Sequence, residues 1–108
     1  MPPSPLTEEF DRLATAASAL ISLLQDNNEP YWASQLQRGL AQIQSKQLSG
    51  ATFVLGCYGG TGTLSDLMIA SDTAGSNPGK FAELNAQLTE LRTQVFESAN
   101  QIASRNLW

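Results

Sequence analysis

Apolar residues recur at steps of three and four along most of this chain. Leu6, Phe10, Leu13, Ala14, Ala17, Leu20, Ile21 and Leu24 form the first such stripe, a spacing that lines up one face of an α-helix. Ser4 can cap this helix and Pro5 can occupy its first turn, while Glu8 and Glu9 complement the positive end of its dipole. Gln25 to Glu29 supply turn chemistry, and Pro30 suits the first turn of a second helix. There Trp32, Leu36, Leu40 and Ile43 repeat at four, four and three, with Gln35, Arg38, Gln42 and Gln44 largely on the other side, up to an end near Ser45. A short polar link between two such helices predicts an antiparallel hairpin with facing apolar stripes.

A third, short helix is predicted from Ser49 and Gly50 through Phe53, Val54 and Leu55, breaking in the Gly56 to Gly62 region. Thr, Phe, Val and Tyr within Ala51 to Tyr58 also suit a strand, but no second clear strand exists to pair with it, and an isolated strand leaves its backbone unsatisfied. Thr63 followed by Asp66 resembles a helix cap, placing Leu64, Leu67, Met68 and Ile69 where they can bury against the hairpin. After a loop from Ser71 to Gly79, Asn77 and Pro78 open a last helix carrying Phe81, Leu84, Leu88, Leu91, Val95, Ala99 and Ile102. It is predicted to exceed 25 residues and to reach about 37 Å at ~1.5 Å per residue. The expected fold is all-α: a compact bundle of about four helices with a glycine-rich corner and a long C-terminal helix, residues 6–108 forming one domain behind a flexible tail at 1–5.

Composition narrows the function classes. With 108 residues, 42% of them hydrophobic, the chain can build a core without metal or disulfide help. Its single cysteine, Cys57, cannot pair internally, and Met1 to Asp11 lacks the basic residue of a secretory start, which together predict a cytoplasmic protein. The apolar run around Ala16 to Leu24 is interrupted by Ser18 and Ser22, so no membrane span is expected. A net charge of −4 with scattered basic residues disfavours nucleic acid, whose backbone needs concentrated Lys and Arg, and allows a basic protein partner.

The distinctive segment is Cys57-Tyr58-Gly59-Gly60-Thr61-Gly62-Thr63-Leu64-Ser65-Asp66. Closely spaced glycines ahead of a helix start can turn backbone N–H groups toward an anion. A dinucleotide fingerprint would need a preceding strand, however, and a P-loop would need a Lys where Thr63 stands, so a tight corner made possible by glycine is the simpler reading. The chain has no histidine, so the usual general base and the commonest metal ligand are both missing. Cys57 reads as a small buried hydrophobe. Glu83, Glu90 and Glu97 recur every seven residues along a solvated helix face, too far apart to share an ion. Trp32 belongs to the core stripe, leaving Tyr31 and Trp108 as freer aromatic anchors. No catalytic residue, metal or cofactor is expected, and the partner-binding candidates are Tyr31, Tyr58, Gly59, Gly60, Gly62, Asp66, Glu83, Glu90 and Trp108.

Four stretches together resemble a family of small, mostly uncharacterised bacterial helical proteins: Asn28-Glu29-Pro30-Tyr31-Trp32-Ala33, Ser49-Gly50, Tyr58 to Leu67, and Leu88-Thr89-Glu90-Leu91-Arg92. The specific part is a Tyr/Phe-Gly-Gly-x-Gly-Ser/Thr-Leu/Phe-Asn-Asp-Leu segment. This chain departs from it with Thr61 in place of Met and Ser65 in place of Asn, which puts in doubt any contact those side chains would make. The family brings no catalytic residues, and its build is similar to that of immunity proteins. The resemblance therefore implies a protein-binding module, most concretely one neutralising a cognate bacterial toxin. The competing readings are a small-molecule or anion-binding module built on the glycines, and a homo-oligomeric structural protein, such as a homodimer, using the last helix.

Overall fold

The computed structural model describes residues 5–58, 67–69 and 73–105, and among them the regular elements are helices, with no strand. Helix α1 runs Pro5–Asp26, α2 Pro30–Gln44, α3 Leu48–Leu55 and α4 Pro78–Arg105. The strand reading of Ala51 to Tyr58 does not apply. Each helix packs on two others: α1 on α2 and α4, and α3 on α2 and α4. The capping roles expected of Ser4, Thr63 and Asp66 lie outside the described residues. Leu67 to Ile69, placed by the periodicity on a helix, is not helical; its backbone bonds run to side chains of α4, as set out below. Among the described residues no helix is long and apolar enough to cross a membrane.

The two tight connections share one geometry. After α1, the Glu29 amide bonds the Leu24 carbonyl at 2.9 Å and the Asn28 amide bonds the Gln25 carbonyl at 3.2 Å. After α2, the Gln47 amide bonds the Gln42 carbonyl at 3.0 Å and the Lys46 amide bonds the Ile43 carbonyl at 2.9 Å. Both are Schellman closures, which need a left-handed residue just past the helix. Asn28 and Lys46 fill that position, each at φ 59°. Asn tolerates it, whereas Lys is held there at some cost. Lys46 also reaches back across the hairpin, its Nζ 2.7 Å from Asp11 Oδ1, so the far end of α2 lies beside the start of α1.

The core is built from Leu13, Leu20 and Leu24 of α1, Leu36 and Ile43 of α2, Val54 of α3, Ile69, and Leu88, Val95 and Ile102 of α4, all fully buried. On α2 the buried line is Ala33, Leu36, Gly39 and Ile43, so Trp32 and Leu40 flank the core, half-buried, instead of heading the stripe. Gly39 takes a core position because α3 crosses close above it: a Cβ there would sit 2.8 Å from Val54 Cγ2. On the facing helix, a Cβ at Gly50 would sit 2.7 Å from the backbone nitrogen of Ile43. The two glycines let α2 and α3 approach backbone to backbone.

Backbone cannot move aside as a side chain can. Gly50→Ala is therefore expected to cost about 2–3 kcal/mol in chemical denaturation, more than Gly39→Ala. In the same assay Lys46→Gly is expected to be about 1 kcal/mol more stable than Lys46→Ala, since both remove the ion pair but only glycine relieves the positive φ.

Candidate functional site

The polar chemistry of the fold concentrates where α4 meets the two flanks of the glycine segment. Asn85 lies on α4 among core positions and is buried. Its Oδ1 accepts from the Ile69 amide at 2.8 Å, and its Nδ2 donates to the Ile69 carbonyl at 2.9 Å and to the Phe81 carbonyl, also at 2.9 Å. One carboxamide thus satisfies both backbone groups of a residue that has no helix to do so, which is why Ile69 can be fully buried. Two turns along α4, Arg92 Nη1 donates to the Leu67 carbonyl at 3.1 Å. Thr89 stands between them, its Oγ1 donating to the Asn85 carbonyl at 2.9 Å and lying 3.4 Å from Arg92 Nη2.

The other flank is fixed from α3. Tyr58 follows the end of that helix, and its hydroxyl donates to the Arg92 carbonyl at 2.7 Å across the gap to α4. Its ring meets Phe96 edge-on, with centroids 5.1 Å apart. Tyr58 and Leu67, which bracket residues 59–66, are therefore both tied to Arg92. Burial pushes the Tyr58 phenol well above its ordinary range, an effect opposed by the Arg92 charge and reinforced by Cys57. Cys57 itself is buried, its Sγ 3.7 Å from the Phe53 carbonyl, and burial raises its thiol as well. A buried thiol with a raised pKa has little thiolate character near neutral pH.

The remaining partner-binding candidates are dispersed. Tyr31 is 63% exposed at the start of α2 and stands edge-on to Trp32, with centroids 4.9 Å apart. Both line a groove of about 340 Å³ with Gln35, Thr52, Phe53 and Cys57. Glu83 and Glu90 are exposed along α4, as is Glu97, which lines a crevice of about 510 Å³ facing Arg12 of α1. Gly59, Gly60, Gly62, Asp66 and Trp108 lie outside the described residues. Among the described residues no group of three or more potential ligands could hold a metal ion.

Sequence reasoning missed Asn85 altogether and counted Arg92 only as a scattered cation and as part of a motif. One signal was available. Asn85 falls four residues after Phe81 and three before Leu88, a core register in which a carboxamide needs buried polar partners. Exposed Met68, at 52%, was likewise expected to bury.

A family model described as "Domain of unknown function (DUF6966)" matches residues 25–76. The matched stretch contains Tyr58, Leu67 and Ile69 and stops short of α4, so the residues that hold the two flanks from α4 lie beyond it. No curated protein and no solved structure matches the chain.

Asn85→Asp removes both side-chain donors and sets a carboxylate against the Ile69 and Phe81 carbonyls, with an expected loss of about 3 kcal/mol in denaturation. Tyr58→Phe is expected to cost about 1 kcal/mol near neutral pH. Because the folded state holds the Tyr58 pKa above its unfolded value of ~10, the stability it contributes is fully present below that pH and lost as pH rises beyond it. Stability measured from pH 8 to 11 should therefore fall more steeply for the natural chain than for Tyr58→Phe.

Proposed function

We propose that this protein is a protein-binding module whose contact surface is organised around residues 59–66 and their flanks, and most concretely an antagonist of a cognate bacterial toxin in the cytoplasm. The observation that carries this reading is the placement of Met68. Its neighbours Leu67 and Ile69 are anchored to α4 through their backbones, yet its own large apolar side chain is left 52% exposed. An adaptable thioether held outward on a fixed backbone suits contact with a macromolecule. Phe96, 41% exposed against Tyr58, adds an aromatic beside the same clamp. Scaffolds that fix the ends of a segment commonly place binding residues there.

Charge is in keeping with a basic partner. Glu83 and Glu90 face solvent on α4, and the chain carries −4 overall, which would speed encounter with a cationic surface at low salt. The buried Cys57 and the absence of histidine from the sequence leave little equipment for acid–base or nucleophilic chemistry.

The test is co-expression with the product of the adjacent reading frame. That product should arrest growth alone, co-purify with this protein, and bind it in calorimetry with an affinity that weakens as salt rises. Met68→Asp is expected to weaken binding at least about tenfold with the melting temperature unchanged. A neighbour that neither harms cells nor binds would refute the toxin-antagonist reading.

A further inference from the structure

The crevice of about 510 Å³ between α1 and α4 shares no lining residue with the clamp, and its volume is that of a small-molecule site. From α1 it is lined by the short side chains of Ala16 and Ala19, which leave room beside Leu91 of α4. Its two charged residues come from opposite walls, Arg12 from α1 and Glu97 from α4. Both are exposed, and among the described residues neither has an ion-pair partner, so the two charges do not meet across the gap. Ser98 is the third uncommitted group. It is only 7% exposed, it lines the same crevice, and its hydroxyl has no hydrogen-bond partner among the described residues. A hydroxyl taken almost out of water without a partner costs stability, which a guest able to bond it restores.

These groups select the charge pattern of a guest. A simple anion drawn to Arg12 is repelled by Glu97, and a simple cation drawn to Glu97 is repelled by Arg12. A wholly apolar guest leaves both charges and the Ser98 hydroxyl unused in a space it has dried. A small zwitterion satisfies all of them. Its carboxylate can take the planar guanidinium in a two-pronged charged hydrogen bond, and its ammonium can pair with the Glu97 carboxylate. The Ser98 hydroxyl can donate to the first or accept from the second. An apolar side chain between the charged ends covers Ala16, Ala19 and Leu91. We propose that the α1–α4 crevice binds a small amino-acid-type zwitterion with an apolar side chain, its carboxylate on Arg12 and its ammonium on Glu97.

The test titrates the full isotope-labelled chain by NMR with L-leucine and glycyl-leucine, and with two relatives that keep one charge each, leucinamide and N-acetyl-leucine. Saturable shifts are expected at the Ala16 and Ser98 amides with the zwitterions. The tighter of L-leucine and glycyl-leucine tells a free amino acid from a short peptide as the source. Each one-charge relative should bind about tenfold more weakly, having lost one charged hydrogen bond. Arg12→Gln should erase the preference for L-leucine over leucinamide, and Glu97→Gln its preference over N-acetyl-leucine. Both side chains are exposed, so these variants should keep the natural chain's circular dichroism and melting temperature. Three results overturn the proposal: no saturable shift with either zwitterion at millimolar concentration, a one-charge relative that binds the natural chain as tightly, or zwitterion binding indifferent to both variants. None of these outcomes depends on the toxin reading.

Discussion

The carboxamide of Asn85 determines how the second half of this protein is assembled. A fold of only four described helices, one of eight residues, must cover the core between α3 and α4, and Ile69 does so from a segment with no helical bonds of its own. Burying that backbone unpaired would cost several kcal/mol in an apolar setting. Asn85 meets the amide and the carbonyl of Ile69 at once and uses its remaining donor on the Phe81 carbonyl of its own helix. Arg92 and Tyr58 extend the same logic outward, so both ends of residues 59–66 are referred to a single helix.

The first half relies on a different economy, in which space replaces polar bonding. Gly39 and Gly50 allow α2 and α3 to cross at a distance no side chain would permit. That approach in turn sets Trp32 and Phe53 beside one another along the aromatic groove. The Schellman closures at Asn28 and Lys46 fix where each helix stops. The hairpin is thus closed by hydrogen bonds at its connections as well as packed in its core, and the groove, lined by Cys57, adjoins the clamp at Tyr58.

Much of the fold was legible because its signals are local. Three-and-four periodicity, Pro30, and the Asn77-Pro78 start located the helices within a residue or two, and the Asn77 side chain does accept the Lys80 amide. On α2, Leu36 and Ile43 are buried as expected, but Trp32 and Leu40 were read in place of Ala33 and Gly39, because large apolar residues outweigh small ones in any hydrophobic count while close helix approach selects the small residues for the centre. Leu67 to Ile69 was misread for a related reason. Apolar spacing cannot distinguish a helix from a segment bonded to side chains 16 and 25 residues away. The burial of Cys57 and the exposure of Tyr31 followed from their places beside and off the apolar stripes. The core register of Asn85 was legible between Phe81 and Leu88, but its tertiary partner Ile69, 16 residues earlier, was not.

Native-state hydrogen exchange at the Ile69 amide tests the central role of Asn85 most directly. If the carboxamide holds that backbone in the core, the amide opens only with the whole fold, and its protection should match that of the Leu88 and Val95 amides within α4. Exchange at the rate of exposed amides such as Gly75, with α4 still protected, would contradict the account.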